Sequence, residues 1–213
     1  TGISTEQDIR SSIEHAGLAG NRCIEEAGVN RLDIGLMINV GIYRDQNMVE
    51  PGMAALIQKK LGLNLDYITL PVRKSAFSFD LMHGGIGALH AMRVAENYLQ
   101  TDSAQHVLII ASEAHPSNRA DAPFPYATLG SAMLLSKNSD ASKGIQGFAF
   151  GSTPHAQIAS TGFLKPLACG AEGRDALEIQ VDADYAEQAL AHALKIARPF
   201  MLQQNIAAND TQL

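Results

Sequence analysis

The most constraining feature of this chain is the segment from Phe79 to Leu89, which reads Phe-Asp-Leu-Met-His-Gly-Gly-Ile-Gly-Ala-Leu. Residues 76–82 are apolar at most positions, the glycines that follow permit a tight turn, and apolar residues then recur at helical spacing. The segment therefore predicts a strand that turns sharply into a helix. The first turn of a helix offers free N–H groups and a partial positive charge, which stabilise a thiolate or an oxyanion. α/β enzymes hold nucleophiles at elbows of this kind.

The rest of the chain alternates between strand-like and helix-like patterns. Strands are predicted at 34–40, 76–82, 107–112, 131–136, 145–150 and 177–182, and helices at 52–61, 85–100 and 183–205. Residues 6–28 are predicted to form one helix or two short helices that are broken near residues 17–20. This order predicts an α/β fold with a mainly parallel sheet covered by helices on both faces. We expect strands 76–82 and 107–112 to be adjacent and parallel, with helix 85–100 running between them, buried behind the elbow.

Composition excludes several functional classes. The 213 residues are 46% hydrophobic, enough for a substantial core, and carry a net charge of −6 without a basic run. Nucleic acid is therefore not an expected partner. No stretch approaches the roughly 20 apolar residues that span a bilayer, so we expect no membrane association and a cytoplasmic location. The two cysteines, Cys23 and Cys169, are too few for a disulfide framework or a cysteine-rich metal site.

Five segments, in order, resemble the ketoacyl-acyl-carrier-protein synthase III branch of the thiolase superfamily. They are Thr1-Gly2-Ile3, the helix from Glu50 to Gly62, the elbow itself, the strand from His106 to Glu113, and Leu129 to Leu135. In the last segment the Asp-Gly pair typical of the family is absent. The resemblance covers most of residues 1–150 and implies the thiolase fold, which consists of two similar βαβαβ halves.

The resemblance has a specific consequence at the elbow. The family pattern is roughly Phe-Asp-x-x-x-x-Cys-x-Gly-Phe, and alignment through Asp80 and Gly87 places the nucleophilic cysteine at Gly85. Glycine has no side chain with which to attack a thioester, so the nucleophile position is vacant. Cys23 lies on the apolar stripe of a helix, and Cys169 has no elbow around it, so neither is a natural replacement.

The resemblance also suggests a domain organisation. Residues 1–150 correspond to the N-terminal thiolase-like half, residues 151–176 are rich in Gly, Pro, Ser and Thr and predict a long connecting loop, and residues 177–213 resemble the start of the second half. In the family the second half supplies the His and Asn that assist catalysis. We therefore expect either that the sequence is a piece of a longer protein or that another chain completes the fold.

Several other residues are candidates for chemistry. His83 lies two residues before the vacant position and could transfer protons or accept an acyl group, or it could be a structural histidine that bonds to backbone beside the turn. His90 follows seven residues later, but two histidines without a third ligand make a poor metal site, and no metal is expected. Candidate substrate-binding residues are Glu113 and His115 at the end of a central strand, His155 in the long loop, and Arg119, which with Ala122–Tyr126 falls where the family contacts phosphopantetheine or coenzyme A.

Three hypotheses follow. The first is a synthase-like chain without its nucleophile that serves as a non-catalytic partner of a Cys-bearing homologue or as an acyl-thioester binding protein in fatty-acid or polyketide-type metabolism. The second is an active acyltransferase or hydrolase of the same fold that uses His83 or residues outside this chain. The third is an unrelated α/β enzyme. No resident cofactor is expected; acyl-CoA or acyl carrier protein would be a substrate or partner. A homodimer or heterodimer is expected, with residues 48–51 reaching toward the other subunit.

Overall fold

The structure is a computed structural model that describes residues 1–6, 9, 11–65, 75–116, 124, 126–152, 160–164 and 177–207. It divides into two compact units. The first comprises residues 1–139 and 164–177, and the second comprises residues 140–163 and 178–213. The predicted Arg119, His155 and Cys169 lie outside the described residues, as does most of the predicted loop 151–176.

The first unit is built on a five-stranded sheet. Its strands are β1 (Gly2–Ser4), β2 (Ile34–Asn39), β3 (Phe77–Asp80), β4 (His106–Glu113) and β5 (Leu129–Ser136), in the order β1-β5-β4-β2-β3. β2 pairs in parallel with both β3 and β4, whereas β5 pairs antiparallel with β4 and with β1. Four strands therefore run in one direction and β5 runs against them. The predicted α/β class with a mainly parallel sheet is confirmed.

Three helices cover this sheet: α1 (Ser12–Ala27), α2 (Met53–Leu61) and α3 (Gly87–Gln100). On one face, side chains of α1 and α2 share a buried cluster with Ile34 and Met37 of β2 and Leu108 and Ile110 of β4. On the other, α3 packs its alanines against Leu36, Ile38, Val107 and Ile109. A register shift between Ile34 and Leu36 lets these neighbours in β2 serve opposite faces. The central strands are apolar on both sides because both faces are covered.

Local signals account for the helix ends. Ser11 caps α1, with its Oγ accepting the N–H of Glu14 at 3.1 Å, and Gly28 ends the helix in a left-handed conformation with φ of 63°. Gly62 ends α2 in the same way. The predicted helix 6–28 is thus one helix that begins at residue 12.

Five expectations about the elements are corrected. Strands β3 and β4 are parallel but not adjacent, because β2 lies between them. Residues 145–150 form no strand. The short strand β1 at the sheet edge was not predicted. Ser160–Leu164 forms a strand, β6, inside the predicted loop. Helix α3 is buried along one face only, at Gly87, Ala91, Ala95 and Leu99.

The second unit contains β6, which pairs with β7 (Leu177–Val181), and the long helix α4 (Tyr185–Gln203). The helix continues through Pro199. Gly147 lies against Phe200, and Gly151 lies against Ile196, so one side of α4 packs on residues 147–151.

Candidate functional site

The predicted elbow is present at the carboxyl end of β3. The chain leaves β3 at Asp80, forms a 3-10 turn at Gly84–Ile86 and enters α3 at Gly87. The residue before α3, Ile86, makes no side-chain capping bond, and the first turn of α3 contains no acidic residue. The N–H of Gly87 donates to the carbonyl of Gly84, and the positive dipole end of α3 is directed at the turn.

Gly85, the position aligned with the nucleophile, is exposed within this turn. Its φ lies outside the left-handed region, and a Cβ built on it would meet no atom within 4 Å. Its neighbour Gly84 differs, since its φ of 51° is one that residues with side chains rarely adopt. Residue 85 therefore has space for a side chain, whereas residue 84 has the left-handed backbone conformation that favours glycine.

His83 and His90 face each other across the turn. Their rings stack with centroids 4.5 Å apart and an interplanar angle of 24°. His83 is exposed and His90 is half-buried. The pair therefore places two stacked imidazoles at the turn, and His83 lies two residues before Gly85.

Asp80 appears in the sequence analysis only as a residue that aligns the elbow with the family pattern. In the structure, its side chain bonds several groups beside the elbow. Its carboxylate accepts the backbone N–H groups of Met53 and Ala54 at 2.9 and 2.8 Å, which caps α2 from a strand 26 residues away. It also accepts Asn39 Nδ2 at 2.8 Å and lies 3.4 Å from Arg44 Nη2. Both oxygens of this carboxylate are therefore engaged in structural bonds.

Glu113 lies at the end of β4, as predicted, and its carboxylate is also bonded to backbone. One oxygen accepts the N–H of Ile42 at 2.6 Å and the other accepts the N–H of Tyr43 at 3.0 Å. Burial raises the pKa of Glu113 above its usual value of 4.5, and the two N–H groups oppose that rise. Burial also raises the pKa of Tyr43, with smaller contributions from Tyr126 and Glu113.

An aromatic cluster, composed of Tyr43, Phe124, Tyr126 and His115, lies beside Glu113. The Tyr43 ring contacts Phe124 edge-on at 5.1 Å and Tyr126 at 5.6 Å between centroids, and His115 lies 5.3 Å from Phe124. Such contacts contribute beyond the area that they bury. The cluster joins the segment after β2 to the segment before β5, which sequence reasoning could not have foreseen because the rings are about 80 residues apart.

The remaining candidates contribute little to this site. Cys23 is completely buried in the core beneath α1. Within the described residues, no three His, Cys, Asp or Glu side chains converge as metal ligands. None of the helices in the described part of the chain is long and apolar enough to cross a membrane.

The elbow lies within a segment that is similar to a known protein family. Residues 79–154 match the family described as 3-oxoacyl-[acyl-carrier-protein (ACP)] synthase III. The chain is similar to the beta-ketoacyl-[acyl-carrier-protein] synthase III of Yersinia pseudotuberculosis, with 30% identity over 95 residues that cover 45% of this chain and 26% of the relative. The Ehrlichia canis enzyme of the same name is 26% identical over 107 residues, 50% of this chain and 30% of that protein. The matches therefore span less than a third of these relatives.

Comparison with solved structures agrees on the fold. The 3-oxoacyl-[acyl-carrier-protein] synthase III of Aquifex aeolicus is similar with a TM-score of 0.60 and 13% identity, over 92% of this chain and 57% of that protein. A point variant of OleA from Xanthomonas campestris gives a TM-score of 0.50 and 17% identity over 62% of this chain and 40% of that protein. Residues 79–154, which include the elbow, are therefore similar to the 3-oxoacyl-[acyl-carrier-protein] synthase III family, and the chain shares the fold of a solved synthase of that name.

Proposed function

We propose that this chain binds acyl thioesters, or partners a Cys-bearing homologue, without forming an acyl-enzyme of its own. The observation that carries the proposal is Gly85, which stands at the nucleophile position in an exposed turn with no side chain to attack. A condensing enzyme of this family needs a thiolate before the N-terminus of α3. Glycine preserves the helix end that would face a thioester oxygen while removing the group that would be acylated.

The surrounding residues support a binding role over a replacement nucleophile. Asp80 and Glu113 are both held by backbone N–H groups, and Cys23 is buried. A Ser or Cys activated by His83 is not found in residues 79–89, the elbow segment that the structure describes. The open helix end at Gly85 would then hold a thioester carbonyl in place without covalent chemistry.

The direct test is intact-mass analysis of the protein after incubation with acetyl-, hexanoyl- and palmitoyl-CoA. The same three acyl groups are also supplied as thioesters of an acyl carrier protein. We expect an unchanged mass, together with measurable binding of at least one thioester by calorimetry. Gly85→Cys is the matched positive variant, because it restores the side chain at the same position, and it should gain one acyl group. Spontaneous acylation of the native chain would contradict the proposal.

A second function is favoured by the stacked histidines. His83 and His90 lie 4.5 Å apart beside the vacancy, so His83 could accept or relay a proton in an acyl transfer. In that case thioester hydrolysis or transfer should fall at least tenfold in both His83→Gln and His90→Gln. If the native protein does not turn over thioesters, this second function is ruled out and only the binding function is left.

The expected partners remain part of the proposal. Acyl-CoA or acyl carrier protein is the proposed ligand, a second copy or a Cys-bearing homologue is the proposed subunit, and fatty-acid or polyketide-type metabolism in the cytoplasm is the proposed setting. The exposed apolar residues around the elbow, Met82, Ile86 and Leu89, support a covering partner or ligand.

A further inference from the structure

The segment that follows β2, residues 41–50, is tied to four separate parts of the first unit; we call it the strap. It begins against the end of β4. The N–H of Gly41 donates to Asn39 Oδ1 at 3.2 Å, and a Cβ at Gly41 would lie 2.5 Å from the carbonyl oxygen of Ser112. Only glycine allows this approach, and the next two N–H groups of the strap then reach Glu113 at 2.6 and 3.0 Å.

The middle of the strap reaches the elbow. Arg44 Nη2 lies 3.5 Å from the sulfur of Met82 and 3.4 Å from Asp80, and Arg44 Nη1 donates to the carbonyl of Val49 at 2.8 Å. Met82 directly precedes His83 in the elbow. The strap therefore contacts the turn that carries the vacant nucleophile position.

A third tie joins the strap to α1. Asp45 accepts the N–H of Ser12 at 2.7 Å and the hydroxyl of Ser11 at 2.5 Å, at the start of the helix. The two residues after Asp45, Gln46 and Asn47, have φ angles of 52° and 50°. Two successive non-glycine residues in the left-handed region are strained, and such strain persists only where surrounding contacts impose it.

The fourth tie is the ring of Tyr43 in the aromatic cluster, against Phe124 and Tyr126. Neighbouring residues of the strap thus contact two distant places: Tyr43 contacts the segment before β5, and Arg44 contacts the elbow. We propose that the strap is a conformational coupler between the aromatic cluster and the elbow, with Glu113 as the latch that holds it closed. The inference is independent of the proposed function, because it concerns backbone order rather than thioester binding.

The latch gives the coupler a defined pH dependence. In the described part of the chain, Tyr43 is the titratable residue with a described interaction with Glu113, and Tyr126 and His115 belong to the same aromatic cluster. Arg44 and Asp45 are instead bonded to Asp80 and to the start of α1. When the strap opens, Glu113 becomes solvated and its pKa returns toward the usual value. The closed form, in which burial raises that pKa, binds the proton more tightly. By linkage, lowering the pH favours the closed strap and raising the pH favours opening.

Hydrogen exchange measured by mass spectrometry tests the coupler. Glu113→Ala removes both acceptors of the Ile42 and Tyr43 N–H groups, so we expect at least fivefold faster exchange in peptides covering residues 41–50, 81–88 and 124–128. Glu96→Ala is the matched control, since it removes another half-buried glutamate, one that bonds Gln100 of its own helix at 3.0 Å. This control should leave all three peptides unchanged. Faster exchange confined to residues 41–50 would overturn the coupling, and no change there would overturn the latch.

The native chain provides a second test that does not depend on the folding of a variant. After correction for intrinsic exchange rates, the protection of residues 41–50 should decrease as the pH is raised from 5 to 8. The decrease should be at most about tenfold for each unit by which the pKa of Glu113 is higher in the closed strap than in the open strap. Glu113→Gln, which cannot ionise, should show a flat profile. A flat profile in the native chain, or an unchanged slope in the Gln variant, would overturn the role of Glu113.

Discussion

At the scale of single residues, the two glycines that open the elbow have different roles. Gly84 adopts a left-handed φ of 51°, whereas Gly85 has an ordinary φ and open space where a Cβ would stand. The turn therefore requires glycine at residue 84, and the missing side chain at residue 85 is not explained by backbone geometry.

This difference predicts that Gly85→Cys folds normally and yields a reactive thiol. Its sulfur would lie before the N-terminus of α3, which lowers a thiol pKa, and it should alkylate about tenfold faster at pH 7 than an ordinary thiol. Mass mapping of iodoacetamide adducts would distinguish it from Cys23 and Cys169. Gly84→Cys is the matched control and should lose about 1–2 kcal/mol of stability in urea unfolding, because its φ is left-handed. Equal stability losses in both variants would show that the turn tolerates neither side chain.

Glu6 offers a residue-scale prediction of pH dependence. A hydrogen bond from Ser4, then backbone and Arg22 hydrogen bonds, lower the pKa of Glu6 from 4.5 to about 2. Because the folded pKa is depressed, the stabilisation from ionised Glu6 is present above pH 4.5 and is lost as the pH falls from 4.5 toward 2. The titration of its side-chain carboxyl carbon by NMR should show this low midpoint. In Ser4→Ala the midpoint should move toward the usual value, and an unchanged midpoint would assign the shift to Arg22 and the backbone.

At the scale of elements, three carboxylates fix the loops and helices at the carboxyl edge of the sheet. Asp45 holds the start of α1, Asp80 the start of α2, and Glu113 the segment after β2, each by accepting backbone N–H groups from an element distant in sequence. Charge-assisted bonds of this kind are stronger than neutral ones. The edge where α/β proteins place their ligands is therefore held together by carboxylates, one of which, Glu113, the sequence presents as a substrate-binding candidate.

The prediction for α2 is that Asp80→Ala destabilises the fold by about 2–4 kcal/mol. The loss combines a removed helix cap, about 1 kcal/mol, with the cost of leaving the Asn39 amide unsatisfied in the interior. Asp80→Asn keeps one acceptor oxygen and should lose about half as much. Urea unfolding would compare the two. A loss below about 0.5 kcal/mol in the Ala variant would mean that water replaces the carboxylate at no cost.

Sequence patterns predicted the elements of the first unit better than their arrangement. Apolar runs identified β2 and β4, because strands covered on both faces have few polar positions. Apolar positions also identified β3 and β5, which are less buried. The insertion of β2 between β3 and β4 was missed, since periodicity carries no information about which strands pair. β1 was missed because three residues, Gly2–Ser4, are too few to show a period.

The elbow was predictable, whereas its supports were not. Glycine spacing and the apolar residues before and after it are local signals, and they placed Gly84–Ile86 correctly in the turn. Asp80 to Met53, Asp45 to Ser12 and Glu113 to Ile42 are contacts between residues 27 to 71 positions apart, and no local pattern records them. The stacking of His83 on His90 was not predictable either, because His83 precedes the 3-10 turn and only His90 lies on α3.

At the scale of the whole molecule, the sheet of the first unit has two contrasting edges. Both edge strands expose one large apolar residue to a similar extent, Phe77 of β3 at 57% and Ile3 of β1 at 58%. Met82, Ile86 and Leu89, which follow β3 in the chain, are also exposed. Exposed apolar residues beside an unpaired strand are typical of a site of association.

We therefore predict self-association through the β3 edge. The native chain should sediment as a dimer at micromolar concentration, and Phe77→Glu should shift it to a monomer, because a charge at the centre of an apolar interface is costly to bury. Ile3→Glu is the matched control: it introduces the same charge at an equally exposed position on the opposite edge, and it should leave the dimer intact. If the native chain is monomeric, mixing it with a Cys-bearing homologue should produce a heterodimer that Phe77→Glu prevents. A monomer under both conditions, or a dimer broken equally by both substitutions, would remove β3 as the association edge.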